Sequence, residues 1–298
     1  MGRRVSRDPW TAFCERLARL AQGQVMDFGS RDGRGSARLI PQSAADVRHA
    51  HALCIESGVV LALEGLNYAS SHAESSVLWV EVGAGLSTFQ PLPNDESKWF
   101  VQPGCLLGEL ANAGLHRFQD LPPYMTVAAW LADRSQCNWR SGQTWRSGLL
   151  HASVLLADGS QARLGPFGEN NRAPLETISL QRLVPALFGL MGQPAGRACR
   201  NQEWWPARYR LDALAPEPGH EVNLAHLLLG HGGDLAWVDW LVFEKDGPSS
   251  AADESAPEFS FLHGSSTEDI EWQASDLDQQ VKALFDPNGL YPHPGQDL

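Results

Sequence analysis

Residues 43–71, SAADVRHAHALCIESGVVLALEGLNYASS, decide the fold prediction, because a helix pattern, a strand pattern and a turn follow one another there. Ser43 is a suitable N-cap for a helix over residues 43–57. The apolar residues at helical spacing on one face of that helix are Val47, Ala50, Leu53 and Cys54. Residues 59–63 form a short apolar run that predicts a strand buried on both faces. A helix followed by such a strand indicates a sheet that helices cover.

The mixture of helix and strand patterns continues on both sides of this unit. Further strands are predicted over residues 77–82, 99–102, 153–157 and 161–164, and further helices over residues 10–22, 106–113 and 275–285. Asp158-Gly159 predicts a tight hairpin between the last two of these strands. The polar, glycine-rich residues 29–36 predict a connector, and the acidic residues 244–257 predict a solvated linker or surface loop. The predicted fold class is therefore α+β.

Composition and charge limit the classes of function. The chain has 298 residues, 43% hydrophobic and 19% charged, which suits a globular protein with a sizeable core. Its net charge of −12 disfavours a general nucleic-acid binder, so no nucleic-acid partner is predicted. Ten acidic residues and one lysine lie within residues 244–278, and the rest of the chain is close to neutral. An anionic ligand elsewhere on the protein is therefore compatible with the charge.

Cysteine usage and hydropathy indicate a reduced, water-exposed environment. The five cysteines are scattered and form no CxxC pair, which predicts neither a structural metal nor a disulfide framework. No apolar run approaches the length that spans a bilayer, and the N-terminus lacks the apolar stretch of a signal peptide. A cytoplasmic protein without membrane insertion is predicted.

Two glycine-containing segments were compared as candidate phosphate-binding loops. Residues 83–86, GAGL, are followed by a proline-rich stretch that cannot open the helix such a loop needs, so a turn is predicted there. Residues 65–71, GLNYASS, follow the buried strand and carry small residues that let backbone N–H groups approach an anion. An anion-binding loop and a surface turn both stay open for this second segment.

Other residues with chemical potential favour structural interpretations. His220, His226 and His231 lie close together without metal-ligand spacing, so core or solvated histidines are favoured and no metal is predicted. Trp130, Trp139 and Trp145 could stack on a planar ligand, although core or interface positions are commoner for tryptophan.

Short segments in a fixed order along the chain carry a resemblance to a known family. They are residues 41–47 (PQSAADV), 59–71, 100–110 (FVQPGCLLGEL), 126–129 (TVAA), 141–159, 230–237 (GHGGDLAW) and 284–295 (LFDPNGLYPHPG). Together they resemble the FAD-linked oxidases of the PCMH type, in the vanillyl-alcohol-oxidase superfamily. The FAD-binding subunit of bacterial glycolate oxidase is the nearest member by these motifs.

The resemblance implies a two-lobed PCMH-type FAD-binding domain with a reduced C-terminal cap. Its boundaries would be an N-terminal helix and connector over residues 1–36 and the FAD-binding domain over residues 37–205. Residues 206–298 would form the reduced cap, the acidic linker and a C-terminal return segment.

The resemblance also implies a cofactor, FAD, and the residues that would bind it. Two loops would supply most of the contacts to the pyrophosphate. The implied cofactor-binding residues are Gly65, Leu66, Asn67, Tyr68, Ala69, Thr126, Ala128, Ala129, Gly142 and Arg146. No catalytic residue is assigned; Arg140 and Arg146 are the candidate clamps for a substrate carboxylate, with Tyr124, His116 and His151 as candidate polar partners.

The chain departs from the family pattern where the pattern contacts the flavin. Ala128 and Ala129 replace paired glycines of the second loop, and each methyl group hinders close backbone approach. Residues 169–175 lack the Lys, Gly and Tyr of a segment that lines the flavin, and His293 replaces an asparagine. The predicted cap is also short.

Three functional hypotheses follow from the resemblance and its departures. The first is an FAD-binding oxidoreductase subunit that works with other subunits of an oxidase complex, oxidising or relaying electrons from a small 2-hydroxy acid. The second is a flavin-free relative that serves as a scaffold or assembly subunit of such a complex. The third is a stand-alone enzyme acting on a small hydroxy acid, which the short cap disfavours.

Overall fold

A computed structural model of the protein describes residues 8–66, 75–168, 171, 175–251, 255 and 268–294. The strands are β1 Gln24–Arg31, β2 Arg34–Ile40, β3 Val60–Leu63, β4 Val77–Val80, β5 Phe89–Leu92, β6 Asp95–Val101, β7 Leu149–Leu155, β8 Gln161–Leu164 and β9 Trp237–Glu244. The α-helices are α1 Pro9–Leu20, α2 Ala44–Ser57, α3 Leu107–Asn112, α4 Val127–Ala132, α5 Ile178–Gly192, α6 Pro194–Arg200 and α7 Glu268–Phe285. Short 3-10 turns cover Ala84–Leu86, His116–Phe118, Thr144–Ser147, Leu211–Leu214 and Leu224–Leu228. No described helix is both long enough and apolar enough to cross a lipid bilayer.

The first lobe is a four-stranded sheet in the order β1-β2-β4-β3, covered by helices α1 and α2. Strands β2, β4 and β3 are parallel, whereas β1 pairs antiparallel with β2. The buried Asp46 at the start of α2 fixes the end of α1 by accepting the N–H groups of Gln22, Gly23 and Gln42 at 2.8–3.0 Å. The carboxylate of Asp46 thus ties the end of α1 to the start of α2 beneath the sheet.

The second lobe is an antiparallel five-stranded sheet in the order β5-β6-β9-β7-β8. Helices α3 to α7 pack against it around one large apolar core. At the centre of that core Phe118 meets Trp130 and Phe243 edge-on, with ring centroids 5.6 and 5.2 Å apart. Pro91 lies in β5, an edge strand, where its missing N–H leaves no gap in the ladder.

The C-terminal segment returns to the first lobe and joins the two cores. The N–H of Leu61 donates to the carbonyl of Leu290 at 2.8 Å, so the return segment lies beside β3. The buried ammonium of Lys282 donates to Asp286, to the carbonyl of Asp234 and to the carbonyl of Tyr291. This ion pair therefore sets the turn through which the chain leaves α7.

The α+β class is confirmed, and so is the unit of helix α2 and strand β3. Two predictions within it need correction, and some observed elements have no predicted counterpart. Residues 29–36 are not a connector, because they close the hairpin between β1 and β2. Strand β9 and helices α5 and α6 are not predicted by the sequence patterns, and α7 begins at Glu268 rather than at residue 275. The domain boundaries after residues 36 and 205 stay predictions.

Physical reasons account for these differences. Helix α5 contains Pro185 and the glycines at 189 and 192, which hide its apolar periodicity. The described start of the acidic stretch is a surface loop, one of the two predicted alternatives: residues 246–248 are exposed, and residues 250 and 251 pack on the second lobe. There the N–H of Ser250 donates to the carbonyl of Arg117, and the indole of Trp139 donates to the carbonyl of Ala251.

We expect Lys282→Met to lower the free energy of unfolding by about 3–5 kcal/mol, because the buried Asp286 carboxylate would lose its cation. Urea unfolding followed by circular dichroism measures the change. Lys98→Met is the matched control, since Lys98 pairs with Asp95 at the surface and such pairs are worth about 0–1 kcal/mol. Equal losses in the two variants would contradict a structural role for the buried pair.

Candidate functional site

The candidate site is the cleft between the two lobes, where the resemblance places the pyrophosphate of FAD. Leu61 and Leu63 of β3 form one wall, and Ala128 with Leu131 of α4 forms another. Trp237 at the start of β9 and Tyr291 of the return segment close the remaining side. The cavity left between them has a volume of about 20 Å³, which holds little more than one water molecule.

The second predicted loop is the first turn of helix α4. Thr126 is its N-cap, and the Oγ1 of Thr126 accepts the N–H of Ala129 at 3.2 Å. The N–H groups of Val127 and Ala128 donate to the carbonyls of Cys105 and Pro103, at 2.9 and 2.8 Å. The N–H of Trp130 donates to the carbonyl of Thr126. All the N–H groups of residues 127–130 are thus bonded within the protein, so none is left to donate to a phosphate.

The side chain of Ala128 has a structural role at the same place. It is buried in the core of the first lobe and also lines the small cavity between the lobes. A methyl group at this position therefore fills space that a glycine would leave open to an approaching ligand.

Gly142, the next predicted cofactor residue, is committed to the fold of the second lobe. Its φ of +80° favours glycine, and its N–H donates to the carboxylate of Asp212 at 2.8 Å. A Cβ added at Gly142 would lie 3.0 Å from the backbone nitrogen of Glu217. Arg146 lies in the 3-10 turn Thr144–Ser147, and the described lining of the small cavity includes neither of these two residues.

The structure describes the first predicted loop only in part. Gly65 has a φ of +86°, and no atom of the described residues lies within 4 Å of the position that a Cβ would occupy. Leu66 packs against the core of the first lobe. Asn67, Tyr68 and Ala69 lie outside the described residues. Within the described part of this loop, the open space beside Gly65 suits a ligand.

The described residues do not fit FAD. Ligand pockets of cofactor size enclose roughly 300–1,000 Å³, far more than the 20 Å³ present between the lobes. The backbone donors of the second loop already have acceptors, and a buried donor gives up its partner only at a cost. Binding of FAD in this cleft would therefore require the lobes to separate or α4 to move.

Hydrogen bonds to the hydroxyl of Tyr291, called the Tyr291 latch below, hold this cleft closed. No sequence pattern indicates them. The hydroxyl of Tyr291 donates to the carbonyl of Leu155 at 2.7 Å and accepts the N–H of Trp237 at 3.0 Å. The Nε2 of His51, on helix α2, lies 3.0 Å from the same oxygen. Burial lowers the pKa of His51 to about 4, so this imidazole is neutral at neutral pH. The latch joins residues 240 positions apart, beyond the reach of any local pattern.

His231 is a second polar side chain, besides Tyr291, in the lining of the cavity. Its Nδ1 is buried and has no hydrogen-bond partner among the described residues. Burial, together with the nearby cations Arg208 and Lys282, lowers the pKa of His231 to about 3. Behind it, Asp234 accepts from Arg208 and from the hydroxyl of Tyr209, at 2.8 and 2.9 Å. A neutral imidazole at the edge of an ion-pair network is thus built into the cleft.

The candidate substrate-binding residues do not converge on the cleft. Arg140 pairs with Glu203 and lies over the ring of Trp204, while Tyr124 is 80% exposed. Within the described residues, the lining of the cavity includes none of Arg140, Tyr124, His116 and His151. His226 bonds to Thr144 and to the carbonyl of Leu149, as a core histidine does. Among the described residues, no group of three His, Cys, Asp or Glu side chains could hold a metal ion.

Comparison with known proteins gives distant matches. No protein-family model and no curated protein matches the chain. The solved 4-ethylphenol oxidase from Gulosibacter chungangensis is 14% identical, with a TM-score of 0.46 over 81% of this chain and 43% of that one. Xylooligosaccharide oxidase from Myceliophthora thermophila is 15% identical, with a TM-score of 0.41 over 78% and 42%. BBE-like 1 from Physcomitrella patens is 12% identical, with a TM-score of 0.41 over 78% and 44%.

The chain spans less than half of the length of these solved structures. Two of the three carry the name of an oxidase, which is a property of those proteins. These matches therefore indicate no function for this chain.

We expect His231→Leu to reduce the acid sensitivity of the protein. The folded-state pKa of His231, about 3, lies below the value of about 6.5 in an unfolded chain. The native protein therefore loses stability as the pH falls from about 6.5 towards 4, by roughly 3 kcal/mol for this group. Urea unfolding at several pH values between these limits should show a smaller loss in the variant. His49→Leu, at an exposed histidine, is the control. Parallel pH profiles of stability for His231→Leu and the unmodified protein would contradict the lowered pKa of His231.

Proposed function

We propose that this chain is a flavin-free relative of the PCMH-type FAD-linked oxidases that acts as a scaffold or assembly subunit of an oxidase complex. One observation carries the proposal: the N–H groups of residues 127–130, which a dinucleotide would need, all donate to acceptors within the protein. The small volume between the lobes and the Tyr291 latch support it. The order of the sequence motifs supports the relationship to the family.

Exposed aromatic side chains support a role as a subunit. Tyr124 is 80% exposed and Trp272, on helix α7, is 70% exposed. Tyrosine and tryptophan are enriched at protein–protein interfaces, because their large rings bury much area at low entropic cost. In the proposed complex, a partner subunit would cover Tyr124 and Trp272.

The second candidate function is an FAD-binding oxidoreductase subunit acting on a small 2-hydroxy acid. The open space beside Gly65, at the end of β3, favours it. When bound, FAD would supply a two-electron acceptor. This candidate requires a second arrangement of the lobes, in which the cleft is wide enough for a dinucleotide.

We expect the purified protein to be colourless and to show no change in its melting temperature when FAD is added. A ligand at a hundred times its Kd stabilises the folded state by about 2.7 kcal/mol, a shift that differential scanning calorimetry detects readily. An absorbance spectrum with flavin bands would instead support the second candidate. In that case Gly65→Val should abolish flavin retention, because its side chain would fill the space beside β3.

The double variant Ala128→Gly/Ala129→Gly separates the effect of the methyl groups from that of the occupied N–H groups. We expect the double variant to retain no FAD once unbound FAD has been removed, because the hydrogen bonds of α4 stay in place when the methyl groups are removed. Its melting temperature should fall, since each glycine in a helix costs about 1 kcal/mol. Stoichiometric flavin binding by the double variant would show that the methyl groups alone exclude the cofactor.

A further inference from the structure

A larger cavity lies at the opposite end of the five-stranded sheet from the cleft. It opens beside Leu149, where β7 begins, and Glu244, where β9 ends. Its volume is about 360 Å³, which is in the range of sites for small ligands. The length of β7 separates it from the cleft by roughly 20 Å. No residue of the predicted cofactor site is among the described residues that line it.

Arg117 is the charged group at the base of this cavity. It is 2% exposed, and its Nη2 donates to the carbonyl of Asp246 at 2.9 Å. Its Nε and Nη1 are buried and have no acceptor among the described residues. Burial also lowers the pKa of the guanidinium. Burying a cation with two N–H groups that lack acceptors costs free energy, unless an anion pairs with the cation and accepts those hydrogen bonds.

The backbone around Arg117 is shaped to receive this guanidinium. Gly148 has a φ of +64°, and a Cβ there would lie 1.2 Å from Nη1 of Arg117. A Cβ at Gly247 would lie 2.6 Å from Nη2. Side chains at these two positions would therefore displace the guanidinium, and the glycines keep its place at the cavity wall open.

The carboxylate of Glu244 does not accept a hydrogen bond from Arg117. Glu244 lies 4.0 Å from Nη2, beyond hydrogen-bond distance, and its side chain is 55% exposed. Glu221 is a second carboxylate on the exposed rim of the cavity. The cavity thus has a buried positive charge at its base and two negative charges near its mouth.

The remaining walls are flat or apolar. Trp145 and His220 stack with ring centroids 4.2 Å apart and planes at 7°. The indole N–H of Trp145 donates to Glu217, which fixes the orientation of the stack. Leu150, Pro166 and Val222 line the cavity beside it. An apolar side chain of a ligand would be desolvated against this surface.

We propose that this cavity binds a small zwitterion of the α-amino-acid class with an apolar or aromatic side chain. A ligand with negative charge alone would face Glu221 and Glu244, and one with positive charge alone would face Arg117. An α-amino acid carries both charged groups on one carbon, so its carboxylate can pair with Arg117 while its ammonium pairs with Glu244, whose carboxylate lies 4.0 Å from the Nη2 of Arg117. This site is independent of the proposed function, since it shares no residue with the cleft.

Isothermal titration calorimetry with L-phenylalanine, L-leucine and L-methionine tests the proposal. At least one of them should bind saturably below about 1 mM. The matched probes 3-phenylpropionate, which lacks the ammonium, and phenethylamine, which lacks the carboxylate, should bind at least about tenfold more weakly than L-phenylalanine. No saturable binding of any of the three amino acids up to about 10 mM would overturn the proposal. Equal binding of 3-phenylpropionate would overturn the zwitterion assignment.

Variants connect the binding to the named residues. Arg117→Gln should reduce the affinity for the amino acid that binds best by about tenfold or more, because a hydrogen-bonded ion pair is lost. Because Arg117 is buried, its replacement also tests folding, so Glu221→Gln/Glu244→Gln provides a second test on the exposed rim. That double variant should bind L-phenylalanine about three- to tenfold more weakly and 3-phenylpropionate more tightly. Glu96→Gln, at an exposed carboxylate on β6, is the control, and affinities equal to that control in both site variants would contradict the site.

Discussion

The hydroxyl of Tyr291 is the contact on which the arrangement of the two lobes depends. It binds the ends of β7 and β9 in the second lobe and lies against His51 of the first lobe. All of these groups are buried, so each would lose a hydrogen-bond partner without gaining water if the contact broke. The Lys282–Asp286 ion pair holds the return segment that carries the tyrosine. One phenol thus fixes the distance between two sheets.

That distance determines what the cleft can hold. With the lobes latched, leucines of β3 face Trp237 and Ala128 across a gap of about 20 Å³. The first turn of α4 uses its own N–H groups for the packing of the segment 103–105. The methyl group of Ala128 belongs to this packed state, because it is buried in the core of the first lobe and lines the gap.

The parts of the fold that local chemistry determines could be predicted from the sequence. Helix α2, strand β3 and the Asp158-Gly159 hairpin follow from helical apolar spacing, an apolar run and a turn dipeptide, whereas the predicted N-cap Ser43 makes no side-chain capping hydrogen bond. The β1–β2 hairpin carries the same dipeptide at Asp32-Gly33, both with positive φ, and this signal could have identified it. Strand β1 is largely exposed, so the apolar alternation that normally supports such a turn is weak on that side of the hairpin. The latch, the Arg117 cavity and the bonding of α4 depend on contacts between distant residues, which no spacing rule encodes.

The order of strands has a consequence for how the protein is made. Strand β9 lies between β6 and β7, yet it is synthesised well over a hundred residues after β6. Until residue 244 has left the ribosome, the second sheet exists as two separate hairpins, each with an exposed edge where β9 belongs. A nascent chain paused in that interval would present unpaired backbone and bare aromatic surface. During translation, this window is the stage at which the chain most needs protection from aggregation.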